Sequence, residues 1–332
     1  MIISRTPLRM SFAGGGSDMR AFYAGGAGAV LSAKINKFVF VTVNRKFDDG
    51  VRVAYSKTEE VASAAQVEHA LVRSALERLA IAGGVEITTV ADIPSRGTGL
   101  GSSSAFTVGL LNALSAFQGR RLSAESLAVE SCGIEIDICR EPIGKQDQYA
   151  AAYGGFNLIE FLGDESVRVT PVILAPGLAG RRQSHLLVFY TGKTRNASEV
   201  LRRQESAVSA DPAKRQALAR MAMIAHQLKA ELELGHIEAL GETLHEGWML
   251  KKSLTGEISS PQIDAWYAAA RAAGAVGGKI LGAGGGGFLL LFADPSAHEK
   301  IEQALGGLRR MAVRFERSGS QIVFYNPQEE DA

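Results

Sequence analysis

The sequence predicts an α+β protein in two lobes, and three observations lead there. A chain of 332 residues that is 46% hydrophobic and 21% charged can bury more than one sizeable core. Helical and strand patterning alternate from end to end, without repeats or low-complexity tracts. A connection rich in Gly, Pro and Arg, "APGLAGRRQ" at 175–183, separates the two halves.

Residues 2–11 read as a strand ending in the glycine turn "FAGGGSD". "KFVFVTVNRKF" alternates β-branched and aromatic residues, the pattern of a second strand pair. "VASAAQVEHALVRSALERLA" (61–80) has apolar residues at helical spacing and no Gly or Pro, which predicts one helix. "GVEITTVADIP" is the next strand, followed by a Gly/Ser loop and a smooth apolar helix. "SAESLAVESCGIEIDIC" is a helix begun by Ser123, and "FNLIEF" and "VRVTPVIL" return as strands. In the second half "HLLVFYTG" is a buried strand, and the chain from 198 to 254 is mostly helix. "PQIDAWYAAARAAGA" is a helix closed by Gly274. "GGKILGAGGGGFLLLFAD" supplies a glycine loop before a buried strand, and a helix and the strand "GSQIVFYN" end the chain.

The formal net charge is +1 with both signs mixed, which removes the electrostatic case for nucleic acid or an anionic membrane as partner. There is no signal-peptide pattern and no run of about 18 uncharged apolar residues, so a soluble, cytoplasmic protein is expected. Cys132 and Cys139 form no CxxC and read as small buried hydrophobes in a reducing compartment. The six histidines lack metal-ligand spacing, and Trp248 and Trp266 read as packing residues.

The chemistry lies in "PSRGTGLGSSSA" (94–105), which follows a strand and opens a helix. A helix N-terminus offers unpaired N–H groups and a partial positive charge, so it receives anions. Glycines let backbone approach a phosphate, and serines there can donate to it or help hold Mg²⁺. No Lys follows in a Walker arrangement, and no G-x-G-x-x-G describes the loop. The turn Gly14–Asp18 and the loop Gly282–Gly287 are weaker signals taken singly; a strand follows the latter, where a dinucleotide fingerprint needs a helix.

Taken in order, "TPLRMSFAGGGSD", "PSRGTGLGSSSA" and "GAGGGGF" resemble the three motifs of the GHMP kinases across nearly the whole chain. The second motif carries two extra residues before its Gly-Leu pair. The resemblance implies an N-terminal ATP-binding domain at 1–177 and a ferredoxin-like C-terminal domain at 178–332. It implies ATP and Mg²⁺ as cofactors. Asp147 would engage the attacking hydroxyl with Arg9 beside it. Pro94, Arg96, Gly97, Gly99, Leu100, Gly101, Ser102, Ser103 and Ser104 would cradle the triphosphate. Glu135 and Ser103 would hold Mg²⁺, with Glu130 and Asp137 as competitors on the same helix. Gly14, Gly15, Gly16, Ser17, Asp18, Gly284 and Gly285 would line the sugar site.

"EPIGKQDQYAAAYGGFN", "FYTGKTRNAS" and "WMLKKSLTGEISSPQID" are similar to the family's anomeric sugar kinases, those of heptose 7-phosphate above all. That likeness implies a small-molecule sugar phosphate as partner, with a homodimer allowed. A distal phosphate would meet Arg195 and Lys251, with Lys193 and Lys252 as further candidates. A kinase of an unphosphorylated sugar such as L-fucose is the alternative within enzymes. A non-catalytic ATP and sugar sensor would be expected to lose the aspartate or the phosphate loop, and this chain keeps both.

Overall fold

The computed structural model describes residues 1–94, 97–174, 177, 183–193 and 197–327. Its first sheet starts from β1 (Ile2–Ala13), buried at every position from Thr6 onward. It pairs antiparallel with β2 (Gly28–Arg45), in a register that sets Arg9 opposite Lys34. The strand pair expected around "KFVFVTVNRKF" is thus part of one strand of 18 residues. Its length lets β2 serve two neighbours: residues 39–45 pair with β5 (Val85–Ala91), and residues 28–33 pair with β6 (Phe156–Phe161). The sheet runs β12 (Gln321–Tyr325), β1, β2, β5, β3 (Val51–Ala54), β4 (Thr58–Val61), with β6 branching from β2 and β7 (Val167–Pro171) pairing with β6. A short helix α1 (Arg20–Tyr23) follows the first glycine turn.

The single helix expected over 61–80 does not form. Its first residue ends β4 (Thr58–Val61), which pairs with β3 (Val51–Ala54), and a 3₁₀ turn spans Ala64–Gln66. Helix α2 begins at Ala70 and runs to Arg78. Glu59 accepts hydrogen bonds from Tyr55 Oη (2.7 Å) and the Glu68 amide (2.6 Å), so tertiary contacts pin the segment that periodicity alone would make helical.

Helix α3 (Ser102–Phe117) lies against β1 and β2, buried over most of its length. α4 (Ala124–Cys132) is capped as expected, Ser123 Oγ accepting from the Ser126 amide. It continues into a π-helical turn, Gly133–Ile138, and α5 (Gln146–Tyr153) follows.

The second sheet is antiparallel, in the order β11-β8-β10-β9, built from β8 (Leu186–Tyr190), β9 (Ala275–Ile280), β10 (Phe288–Ala293) and β11 (Arg309–Arg310). Around it stand α6 (Ala197–Ala210), α7 (Pro212–Leu234), α8 (Ala239–Leu254), α9 (Pro261–Ala272) and α10 (His298–Ala304). Pro212 separates α6 from α7, with Asp211 capping the new helix at the Ala213 amide (2.9 Å). Alternate residues of β10 serve two cores: Leu289 and Leu291 join the cluster around Trp248, while Phe288 and Leu290 join the cluster that fills the first lobe. The last strand, β12 (Gln321–Tyr325), returns to pair with β1. A division at 177/178 is therefore a division of sequence, and β12 belongs to the first sheet. The connection at 175–183 lies almost wholly outside the described residues. No helix is long and apolar enough to cross a membrane among the described residues.

Candidate active site

β1 delivers Arg9 to the N-terminal ends of α3 and α5, where it is only 4% exposed. Its Nε and Nη2 donate to the two carboxylate oxygens of Asp147, at 2.7 and 2.9 Å. This is the bidentate geometry in which guanidinium and carboxylate fix each other most firmly. Nη1 reaches the carbonyl of Gly99 (2.6 Å), and the Arg9 amide donates to the carbonyl of Leu100 (3.1 Å). One residue thus ties the aspartate to the Gly/Ser loop. Asp147 sits in the first turn of α5 and keeps 24% exposure, so it faces solvent while it is held from behind.

The Gly/Ser loop is a run of left-handed glycines that ends at a helix N-terminus. Gly97, Gly99 and Gly101 all have positive φ, near +70°, and Gly101 is the N-cap of α3. A Cβ on Gly101 would stand 3.3 Å from Asp147 Oδ2, which brings the helix end next to the carboxylate. The first backbone bond inside the helix runs from the Ala105 amide to the Gly101 carbonyl, so the amides before it have no partner within the helix. Leu100 is buried behind the loop; Pro94 is exposed at the loop's start; Arg96 lies outside the described residues.

The glycine loop at 282–287 packs closely against the Gly/Ser loop. A Cβ on Gly282 would meet the Gly99 Cα at 2.4 Å, and one on Gly287 would meet the Thr98 carbonyl oxygen at 2.4 Å. The two loops pack backbone to backbone. Gly284 and Gly285, expected at the sugar, pack on Ile258: the Gly285 amide donates to its carbonyl (2.8 Å), and a Cβ on Gly284 would stand 2.8 Å from the same oxygen.

Glu135 is the buried acid of its helix, 1% exposed, whereas Asp137 faces out and Glu130 is paired with Arg78 on the surface. The π-helical turn carries Glu135, and such turns are frequent at functional sites. Its carboxylate accepts from Ser104 Oγ (2.7 Å), Thr107 Oγ1 (3.0 Å), Ser103 Oγ (3.3 Å) and Gln148 Nε2. Burial pushes its carboxyl up to about 7, against these hydrogen bonds, which pull it down. The hydroxyl of Ser104 is therefore turned inward to Glu135 and not to a phosphate. Ser103 is exposed on the first turn.

In the first glycine turn, Gly14 has the carbonyl of Ala29 where a Cβ would be (1.7 Å), and Gly16 abuts the amide of Gln204. Ser17 is fully buried, donating to the Gly14 carbonyl and accepting from the Ala29 amide, so its hydroxyl braces the turn and faces no ligand. Asp18 lies under the start of α5, accepting from the amides of Gly16 (2.9 Å) and Gln146 (3.3 Å) and from Gln146 Nε2 (3.0 Å). Burial and then the charge of Asp147 raise its carboxyl above the ordinary range. Gly15 has the most room of the turn.

The basic candidates separate clearly. Lys251 is 3% exposed and donates to the Gly282 carbonyl, inside the site. Lys252 is paired with Asp264 (2.5 Å), and the ammonium of Lys193 lies 5.9 Å from the centre of the Trp266 ring. Arg195 lies outside the described residues.

Residues 59–155 match the profile of the GHMP kinases N terminal domain, and residues 228–307 match that of GHMP kinases C terminal. The chain is a GHMP kinase. It is 27% identical over 318 residues to the D-glycero-alpha-D-manno-heptose 7-phosphate kinase of Campylobacter jejuni, covering 92% of this chain and 93% of that one. It is 26% identical to the L-fucokinase/L-fucose-1-P guanylyltransferase of Bacteroides fragilis, over 92% of this chain and 36% of that one. The crystal structure of a D-glycero-D-manno-heptose 1-phosphate kinase from Bacteroides thetaiotaomicron superposes with a TM-score of 0.81 at 26% identity, covering 98% of this chain and 100% of that one.

Membership in the GHMP kinases implies ATP, and the three positive-φ glycines before the helix N-terminus at Gly101 fit a triphosphate. Mg²⁺ fits as well: Ser103 Oγ and Glu135 are hard oxygen donors in contact, with Ser103 facing the loop. Among the described residues no three His, Cys, Asp or Glu cluster as a cage, so this GHMP kinase would hold the ion with two side chains, phosphate oxygens and water. Glu135→Gln keeps the size of the side chain but removes the charge and turns one of its two accepting oxygens into a donor. It is expected to raise the Mg²⁺ concentration for half-maximal rate by about tenfold or more, and to cost about 1–3 kcal/mol of stability in a melting curve, because buried donors lose an acceptor. A magnesium titration showing the wild-type requirement would leave Glu135 as a helix brace only.

Sequence reasoning missed Thr107 and Gln148, which hold Glu135, and Gln146, which holds Asp18. Nothing in their local pattern marks them. It also missed Lys34 and Lys279, though a lysine within an apolar strand, as in "GGKIL", is a readable signal.

Proposed function

We propose that this GHMP kinase transfers the γ-phosphoryl group of ATP to the anomeric hydroxyl of D-glycero-D-manno-heptose 7-phosphate. The product would be the 1,7-bisphosphate, made in the cytoplasm for nucleotide-activated heptose and surface polysaccharide. The observation that carries the reading is the Arg9–Asp147 pair, clamped to the Gly99 carbonyl and set against the helix end at Gly101. It puts a carboxylate where an acceptor hydroxyl must lie if the phosphoryl group sits on the helix N-terminus. Lys251 supports an acceptor that bears its own phosphate, as do the names of the heptose phosphate kinases it resembles.

Asp147 accepts the hydroxyl proton as the oxygen attacks. Arg9 occupies one lone pair on each carboxylate oxygen, so the remaining pairs stay available while the group cannot rotate away. The α3 amides and the cradle glycines neutralise the phosphoryl oxygens. When bound between Ser103 and Glu135, Mg²⁺ would screen the charge of the triphosphate. The second reading, a kinase of unphosphorylated L-fucose, is favoured by the similarity to the fucokinase of Bacteroides fragilis.

An ATP-consumption screen with Mg²⁺ decides between them, using heptose 7-phosphate, free heptose, fucose, galactose and mevalonate, with phosphorus NMR on products. A new anomeric phosphate on the 7-phosphate alone is the expected result. Turnover only on an unphosphorylated sugar would move the assignment to the second reading, and turnover on none would remove both.

A further inference from the structure

Lys279 is a charged residue inside the apolar strand β9, and it is 3% exposed. Its cross-strand partner is Leu290, so it stands on the face that β10 turns toward the first lobe. Helix α8 covers that face. A Cβ on Gly277, two residues earlier on the same face, would stand 1.9 Å from the carbonyl oxygen of Gly241 and 3.0 Å from the amide of His245. Further along the same helix, Lys251 reaches the carbonyl of Gly282. Strand and helix therefore run side by side between these two contacts, and Lys279 lies between them, next to Lys251. Gly282 in turn rests on Gly99 of the phosphate cradle.

Among the described residues neither ammonium forms an ion pair, and Lys279 has no hydrogen-bond partner. Lys279 lies in the positive field of Lys251 and of Arg9, and Lys251 lies in that of Arg9. Asp18 and Asp147 oppose this at Lys251, yet Asp147 is already engaged by Arg9 and Asp18 by three amide N–H groups. Burial lowers Lys251 to about 8 and Lys279 well below the ordinary lysine range. Two neighbouring amines in dry surroundings, without a counterion, form a place that an anion completes.

We propose that Lys251 and Lys279 together form a two-cation seat for a phosphate group in this active site. The proposal rests on the kinase reading above. Either the phosphate already on the acceptor or the γ-phosphate of ATP offers the required chemistry, and kinetics separate them.

Lys279→Met and Lys279→Arg are compared in the full chain, with melting temperature as the check on folding. With ATP and a phosphorylated heptose, the Met variant is expected to raise KM or lower kcat by at least about tenfold, equivalent to about 1.4 kcal/mol, with partial recovery in the Arg variant. A fall in kcat/KM for the phosphorylated heptose that exceeds the fall for free heptose assigns the seat to the acceptor. An equal fall with both acceptors, with a raised KM for ATP, assigns it to the γ-phosphate. A folded Met variant with wild-type constants for every substrate overturns the seat. Should the Met variant not fold, inorganic phosphate is titrated into the wild type as an inhibitor. Failure to compete with either substrate then overturns the proposal. A wild type that turns over no sugar removes the kinase reading instead; inorganic phosphate binding that weakens in the Met variant and is partly restored in the Arg variant then supports the seat, and equal binding in all three proteins overturns it.

Discussion

Asp147→Asn is expected to fold, to bind ATP and to lose turnover by about 10² to 10⁴-fold, the range set by removal of a positioned general base. Asparagine keeps the size of the side chain and one oxygen toward Arg9, so the pair is weakened rather than emptied. It cannot take up a proton, and that is the function assigned to the carboxylate. Some stability is lost because Arg9, at 4% exposure, is left with its charge less compensated. Breaking a fully buried pair costs about 3–5 kcal/mol, and the cost here falls below that range because Asp147 is 24% exposed. Single-turnover rates at saturating ATP, with a melting curve, measure both effects. Turnover within a factor of a few of wild type, in a folded protein, would remove Asp147 from the chemistry.

Gly99→Ala is expected to have the second large effect, through geometry alone. Gly99 has a φ of +76°, and a Cβ there would stand 2.1 Å from the carbonyl oxygen of Leu281 and 2.7 Å from its carbon. Both are backbone atoms of the adjoining glycine loop, so no side chain can swing aside. Gly99 also offers its carbonyl to Arg9 (2.6 Å), so displacement of the loop disturbs the Arg9–Asp147 pair. Gly119→Ala is the matched control: its φ is +72° and nothing lies within 4 Å of its Cβ direction. The control should lose only about 1–2 kcal/mol for the left-handed conformation and keep its affinity for ATP. Gly99→Ala should lose more stability and bind ATP at least about tenfold more weakly, roughly 1.4 kcal/mol. Calorimetry and an ATP titration on the two variants make the comparison; equal behaviour would mean that the packing of the two loops is not what shapes the cradle.

Some of this was open to reading because it is local. A strand, glycines, serines and an apolar helix in succession describe a phosphate cradle within a dozen residues, and Gly97, Gly99 and Gly101 adopt the positive φ that such a loop requires. Ser123 caps its helix because capping involves residues three apart. Arg9 and Asp147 could be named because each stands in a motif, although 138 residues separate them.

Tertiary structure decided the rest, because those properties depend on what arrives from elsewhere in the chain. The pattern over 61–80 is helical in isolation, but pairing of β4 with β3 takes its first residue and the contacts of Glu59 hold the turn that follows. Ser17 and Ser104 look like ligand donors in sequence, and each is turned inward by a partner from another element. The glycines of 282–287 look like a ligand loop, and most of their freedom serves close approach to residues 97–99 and Ile258. Lys252 and Lys251 are neighbours on one helix, yet one meets Asp264 at the surface and the other is buried in the site. Sequence by itself determined which groups this protein has available: a Gly/Ser loop before a helix, a carboxylate and an arginine that pairs with it. Packing of two sheets decided which side chains meet, since burial and hydrogen bonding are properties of pairs of residues and no single stretch of chain contains both members.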